Sequence, residues 1–171
     1  MTTDTSSSDS SESAIAPSNK PHALIVLVGS ALYAGFSPVA SGTVGSLVAL
    51  GIYWLIPEMQ PWLILVPVIL VSFAIGVPIS TAMEHHYGND PSEVVWDEVV
   101  GMWISVLLLP RIWYVLVIAF FVFRVFDIVK PPPAGYFDRM KGGFGIMMDD
   151  VIAGVYANIV MQLVVVVFSL R

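Results

Sequence analysis

Apolar residues run through this chain in stretches broken by proline, glycine and short polar clusters, and each stretch reads as a helix. "ALIVLVGSALYA" (23–34) is about 12 residues, too short for a bilayer that needs roughly 20, and reads as interfacial or re-entrant. "SPVASGT" (37–43) is a turn, and Thr43 is a candidate N-cap for "VGSLVALGIYWLI" (44–56), which stops at Pro57. A longer helix, 61–86, carries kink candidates at Pro67 and Pro78 and is broken by "GNDP". Ser92 would cap the next helix (92–109), closed by Pro110; 112–130 ends at "PPP". Residues 134–148 read as a Gly-rich loop, and the last helix as 149–170.

The polar positions sit at the ends of these stretches. They fall at a start (Thr43), an end (Glu84), a start (Asp97, Glu98), an end (Arg124, Asp127, Lys130) and a start (Asp149, Asp150). If successive helices alternate in direction, all five ends lie on one side of the membrane. The resulting fold class is all-α: a polytopic membrane helix bundle of about five to six helices, one of them short and re-entrant or interfacial.

Composition supports a membrane reading. The chain has 171 residues, 57% hydrophobic and 12% charged, with mean hydropathy +0.83; soluble domains are roughly 45–50% apolar and about 25% charged. Residues 1–21 are Ser/Thr/Asp-rich and read as a disordered tail, without the basic start and apolar run of a signal peptide. Residues 22–171 form the membrane-embedded domain. The net charge of −6 argues against a nucleic-acid partner, and the lack of cysteine excludes disulfides and thiolate zinc. Lys20, Arg124, Lys130, Arg139 and Lys141 lie on the polar side, Arg111 and Arg171 on the other; the positive-inside rule puts the polar side in the cytoplasm.

Glu84, Asp90, Asp97, Glu98, Asp127, Asp149 and Asp150 crowd that side with few cations among them. A divalent ion would offset their repulsion, and oxygen-only donors favour Mg²⁺ or Mn²⁺ over zinc. Arg124, Asp127 and Lys130, spaced i, i+3, i+6, share one helix face, where the two cations could hold a phosphate. "KGGFG" (141–145, with Gly143) and "SGTVGS" (41–46) offer bare amides at helix starts, and Thr43 and Ser46 add hydroxyls. Gly101 and Gly154 would let helices approach closely near the acids. Read singly, each group has a plainer role. Asp97/Glu98 and Asp149/Asp150 serve as helix caps, Arg124–Asp127 is an intrahelical ion pair, "EHH" (84–86) is a solvated helix end, and Asp90 and Asp138 are loop residues. An ion channel or transporter using the acids as a cation site is the alternative function. The nearly uncharged opposite half counts against it.

Taken together, "SPVASGTVGSL", "VVWDEVVGMWIS", "FRVFDIVKPPP" and "YFDRMKGGFGIMMDDVIAG" resemble the phosphatidylglycerophosphatase A family, from about residue 29 to 158. The resemblance implies a small helical bundle at the bacterial inner membrane. It also implies Mg²⁺-dependent hydrolysis of phosphatidylglycerophosphate to phosphatidylglycerol and inorganic phosphate. Its hallmark positions are Asp97, Glu98, Asp149, Asp150, Arg124, Asp127 and Lys130. In that scheme Asp97, Glu98, Asp149 and Asp150 hold the metal, and Arg124 and Lys130, helped by Thr43, Ser46 and Gly143, hold the phosphate. Asp150, Asp127 and Glu98 are the candidate catalytic acids. Ser41 stands where the family's first motif usually has proline. The CDP-alcohol phosphotransferase pattern, which also sets aspartates on membrane helices, is absent.

Overall fold

The computed structural model describes residues 21–57 and 61–168. Apart from Pro21 the predicted tail lies outside the described residues, as do Lys20 and Arg171. The described residues form seven α-helices: α1 (Ala23–Gly29), α2 (Ser41–Leu55), α3 (Pro61–Tyr87), α4 (Trp96–Ser105), α5 (Trp113–Val129), α6 (Ala134–Phe137) and α7 (Gly143–Val167), with a 3₁₀ turn at Ala34–Phe36. No strand occurs among the described residues. The all-α expectation therefore holds, with more helices than expected because α6 lies inside the predicted loop.

Among the described residues two helices are long and apolar enough to cross a membrane: α3, with 27 residues and mean hydropathy 2.5, and α7, with 25 and 2.0. At 1.5 Å per residue they reach about 40 and 37 Å, against a hydrocarbon core of roughly 30 Å. Pro67 and Pro78 lie inside α3 rather than ending it. α1 is shorter than the stretch 23–34 suggests, because Ala31, Leu32 and Tyr33 take positive φ (45°, 61°, 66°) and turn the chain after Gly29.

α4 is the centre. It packs on α2, α3, α5 and α7, and Val99, Val100 and Met102 are fully buried. Between helices in lipid, packing rather than hydrophobic burial drives association, so close approach matters. Gly101 and Gly154 provide it at the α4–α7 crossing. A Cβ at Gly101 would stand 2.7 Å from the Asp150 carbonyl oxygen, and one at Gly154 would overlap the Gly101 carbonyl.

Three predicted boundaries move. α2 begins at Ser41, two residues before Thr43. α4 begins at Trp96 and ends at Ser105, ten residues instead of the expected 92–109. A helix that stops early in an apolar interior leaves carbonyls unpaired. Here α7 supplies the donors: Asn158 Nδ2 to the Ser105 and Leu107 carbonyls (3.1 and 2.7 Å) and Gln162 Nε2 to Leu107 (3.2 Å). α7 begins at Gly143, not at Asp149. Its first amides are satisfied from α3, Gly142 N–H by Glu84 Oε2 (2.8 Å) and Gly143 N–H by Thr81 Oγ1 (2.9 Å). Gly142 itself has φ +93°, which favours glycine.

Candidate active site

The first turn of α4, the last turn of α5, the second turn of α7 and the N-terminus of α2 meet around a cleft of about 300 Å³. Asp97, Glu98, Arg124, Asp127, Lys130, Asp149 and Asp150 all line it, joined by Ala40, Ser41, Gly42 and the 90–94 loop. The start-and-end alternation in the sequence thus brings its charged groups to one place.

Within the cleft the acids divide into two sets. Asp97, Glu98 and Asp150 each offer an oxygen within 4.8 Å of the others. Asp97 Oδ1, Glu98 Oε2 and Asp150 Oδ2 are buried without a hydrogen-bond partner. Three such carboxylates repel one another and lose solvation together, so the arrangement calls for a cation. An all-oxygen donor set fits Mg²⁺, which takes carboxylates, water and phosphate oxygens. Asp149, beside Asp150 in sequence, is not in this trio. Its Oδ2 accepts from Lys130 Nζ at 2.6 Å, and Oδ1 accepts from the Asp150 amide at 3.0 Å. Consecutive residues on a helix point about 100° apart, and on α7 it is Asp150 that meets the trio while Asp149 meets Lys130 of α5.

The cations are held by the second set. Arg124 pairs with Asp127 one turn on, and its Nη1 lies 4.0 Å from Glu98 Oε1. Lys130, the left-handed C-cap of α5, bridges Asp138 and Asp149. Burial works against its charge, but the hydrogen bonds to Asp138 and Asp149 hold its pKa above the ordinary lysine value. Asp138, read from sequence as a loop residue, therefore anchors Lys130. The signal that could have located it is the triple proline followed by a short helix, which folds residue 138 back onto the end of α5.

Three of the predicted phosphate ligands, Gly143, Ser46 and Thr43, stand elsewhere. Gly143 packs against Val77 and Thr81 of α3, and its amide is already used there. The "KGGFG" stretch is therefore a capping junction with α3, and Gly143 does not line the cleft. Ser46 is buried and donates to the Gly42 carbonyl at 2.9 Å. Thr43, in the first turn of α2, does not line the cleft either. The N-terminus of α2 does reach the cleft, through Ser41 and Gly42, whose amides have no partner within the helix. Gly42 lies so close that a Cβ would overlap Glu98 Oε1 and come within 3.0 Å of Arg124 Nη1. Glu84 caps α7 and does not line the cleft. Asp90 does, from a left-handed position (φ 47°) in the loop after α3.

Carboxylates gathered beside an arginine and a lysine in an apolar helical protein can hold a cation and a phosphate together. Residues 27–165 match the family model described as phosphatidylglycerophosphatase A. The chain is 39% identical to the phosphatidylglycerophosphatase A of Escherichia coli, over 86% of its own length and 84% of the relative's. It is 45% identical to the Haemophilus influenzae phosphatidylglycerophosphatase A over 48% of each chain. A Bacteroides thetaiotaomicron protein provisionally named phosphatidylinositol-3-phosphatase is 44% identical over 82% of this chain and 92% of its own. No solved structure is a significant match. The chain belongs to the phosphatidylglycerophosphatase A family and is a phosphatase, a phosphoric monoester hydrolase.

Proposed function

We propose that this enzyme removes the terminal phosphate of phosphatidylglycerophosphate, giving phosphatidylglycerol and inorganic phosphate, with Mg²⁺ as cofactor. The step belongs to glycerophospholipid biosynthesis, and the enzyme works as a multi-pass protein of a bacterial inner membrane with its cleft on the cytoplasmic side. The observation that carries the reading is the trio Asp97, Glu98 and Asp150, each with a buried oxygen that lacks a hydrogen-bond partner, in one cleft with Arg124 and Lys130. Family membership favours this reading over an ion channel.

Asp97, Glu98 and Asp150 would hold the Mg²⁺. When bound, it polarises a phosphoryl oxygen and offsets the trio's charge. Arg124 and Lys130 grip the non-bridging oxygens, Arg124 as a planar fork and Lys130 as a point charge fixed by Asp138 and Asp149. The free amides at the start of α2 add donors. Asp127 lines the cleft outside the trio, which supports it as the general base. Water's oxygen attacks phosphorus, the bond to the glycerol oxygen breaks, and the proton Asp127 takes from water passes to that leaving oxygen. The lipid's acyl chains stay in the bilayer throughout.

Phosphate release by the purified protein is the test, from phosphatidylglycerophosphate and from phosphatidylinositol 3-phosphate. Activity with Mg²⁺, its loss in EDTA, and a fall of about 100-fold or more in Asp150→Asn are expected. Undiminished turnover in metal-free protein would overturn the metal assignment. Release only from the inositol lipid would overturn the substrate.

A further inference from the structure

Beside the cleft lies a second hollow of about 390 Å³, lined by Lys130, Pro132, Gly135, Tyr136 and Arg139. Its charge differs from that of its neighbour. The cleft holds six acids against Arg124 and Lys130, whereas the hollow presents two cations and no acid. Lys130 borders both spaces, so they adjoin at that residue. Arg139 is exposed, and no carboxylate pairs with it among the described residues. Tyr136, 69% exposed on α6 next to the end of α5, presents an amphipathic ring of the kind that sits at the headgroup level.

A second anion site next to a monoester-binding cleft has an evident ligand if the reading above is right. The proposed substrate carries two phosphates: the terminal monoester and, one glycerol away, the phosphodiester joining it to the diacylglycerol. We propose that Arg139, with Tyr136, binds that phosphodiester and so selects lipids in which a phosphodiester precedes the terminal phosphate. An arginine fork suits the two free oxygens of a diester. The contact would anchor the substrate at the bilayer surface while the monoester enters the cleft. Arg139 is thus a specificity residue away from the reacting atoms.

This proposal rests on the phosphatidylglycerophosphatase reading, and the test separates the two. Purified wild-type, Arg139→Gln and Arg139→Lys proteins are assayed on phosphatidylglycerophosphate in mixed micelles. Inhibition by inorganic phosphate, which has no diester, is measured alongside. Arg139→Gln is expected to raise KM about tenfold with little change in kcat, Arg139→Lys to recover part of that loss, and inhibition by inorganic phosphate to stay unchanged. Weaker inhibition by the product phosphatidylglycerol in Arg139→Gln is expected too, because that lipid retains only the diester. An unchanged KM, or an equal loss of affinity for inorganic phosphate, would overturn the subsite and leave the enzyme's function standing. A wild-type protein that releases no phosphate from the lipid would overturn both.

Discussion

Asp149 and Asp150 show how much one residue's neighbours matter. Adjacent on α7, they serve different partners: Asp150 joins Asp97 and Glu98, and Asp149 holds Lys130. The sequence marks both as chemically important, but it cannot divide them, because the division depends on which faces of α7 meet α4 and α5. Gly42 is a second case. From sequence it belongs to a glycine-containing helix start, while Thr43 and Ser46 beside it look like the ligands. In the fold, Gly42 leaves room for Glu98 and Arg124, and Ser46 is turned to the Gly42 carbonyl. Gly42→Ala should therefore displace Glu98, lowering kcat roughly 10–100-fold while the thermal midpoint shifts little. Steady-state kinetics beside a melting curve checks this. Normal kcat in the folded variant would show that Glu98 tolerates the displacement.

At the scale of elements, α4 and α7 carry most of the site, and both have ends that local rules misplace. Ser92 and Thr43 look like caps, yet α4 starts after Val95 and α2 after Ala40, with no side-chain cap at either. Partners distant in sequence replace local caps: Glu84 and Thr81 for α7, Asn158 and Gln162 for the end of α4. No window along the chain contains both halves of such a bond. Asn158 is the more exacting of the two α4 partners, since it serves two carbonyls. Asn158→Leu would leave the Ser105 carbonyl without its donor and Leu107 with Gln162 alone, at a cost of about 1–3 kcal/mol. A lower thermal midpoint in detergent is the expected reading, with kcat of the surviving folded protein near normal.

At the scale of the whole molecule, an apolar body carries its charge at one end. Trp54, Trp62 and Trp113 are all exposed, at 52%, 42% and 69%. Arg111 lies beside Trp54. It donates to the Trp54 and Ile56 carbonyls and stands over the Tyr53 and Trp54 rings, so this cation is tied to the end of α2. The charged end should face the cytoplasm by the positive-inside rule. The chain has no cysteine, which makes the orientation easy to read. Lys141→Cys, at an exposed position, should react with a membrane-impermeant maleimide in inside-out vesicles and not in intact spheroplasts. The opposite pattern would invert the proposed topology.

The sequence by itself determined the helical class, the family, and the one-sided gathering of Asp97, Glu98, Arg124, Asp127, Lys130 and Asp150. Hydrophobic stretches set helices, and the rank of each polar cluster as a start or an end sets its side. Which carboxylates form the trio, that Asp149 and Asp138 fix Lys130, and that Gly142 and Gly143 join α7 to α3 outside the cleft emerge only in the fold. These outcomes depend on the rotation of helices about their axes and on bonds between residues tens of positions apart. Gly101 and Gly154 show in the sequence as small residues near the acids, but the close α4–α7 crossing they allow, and the faces it brings together, exist only in the fold.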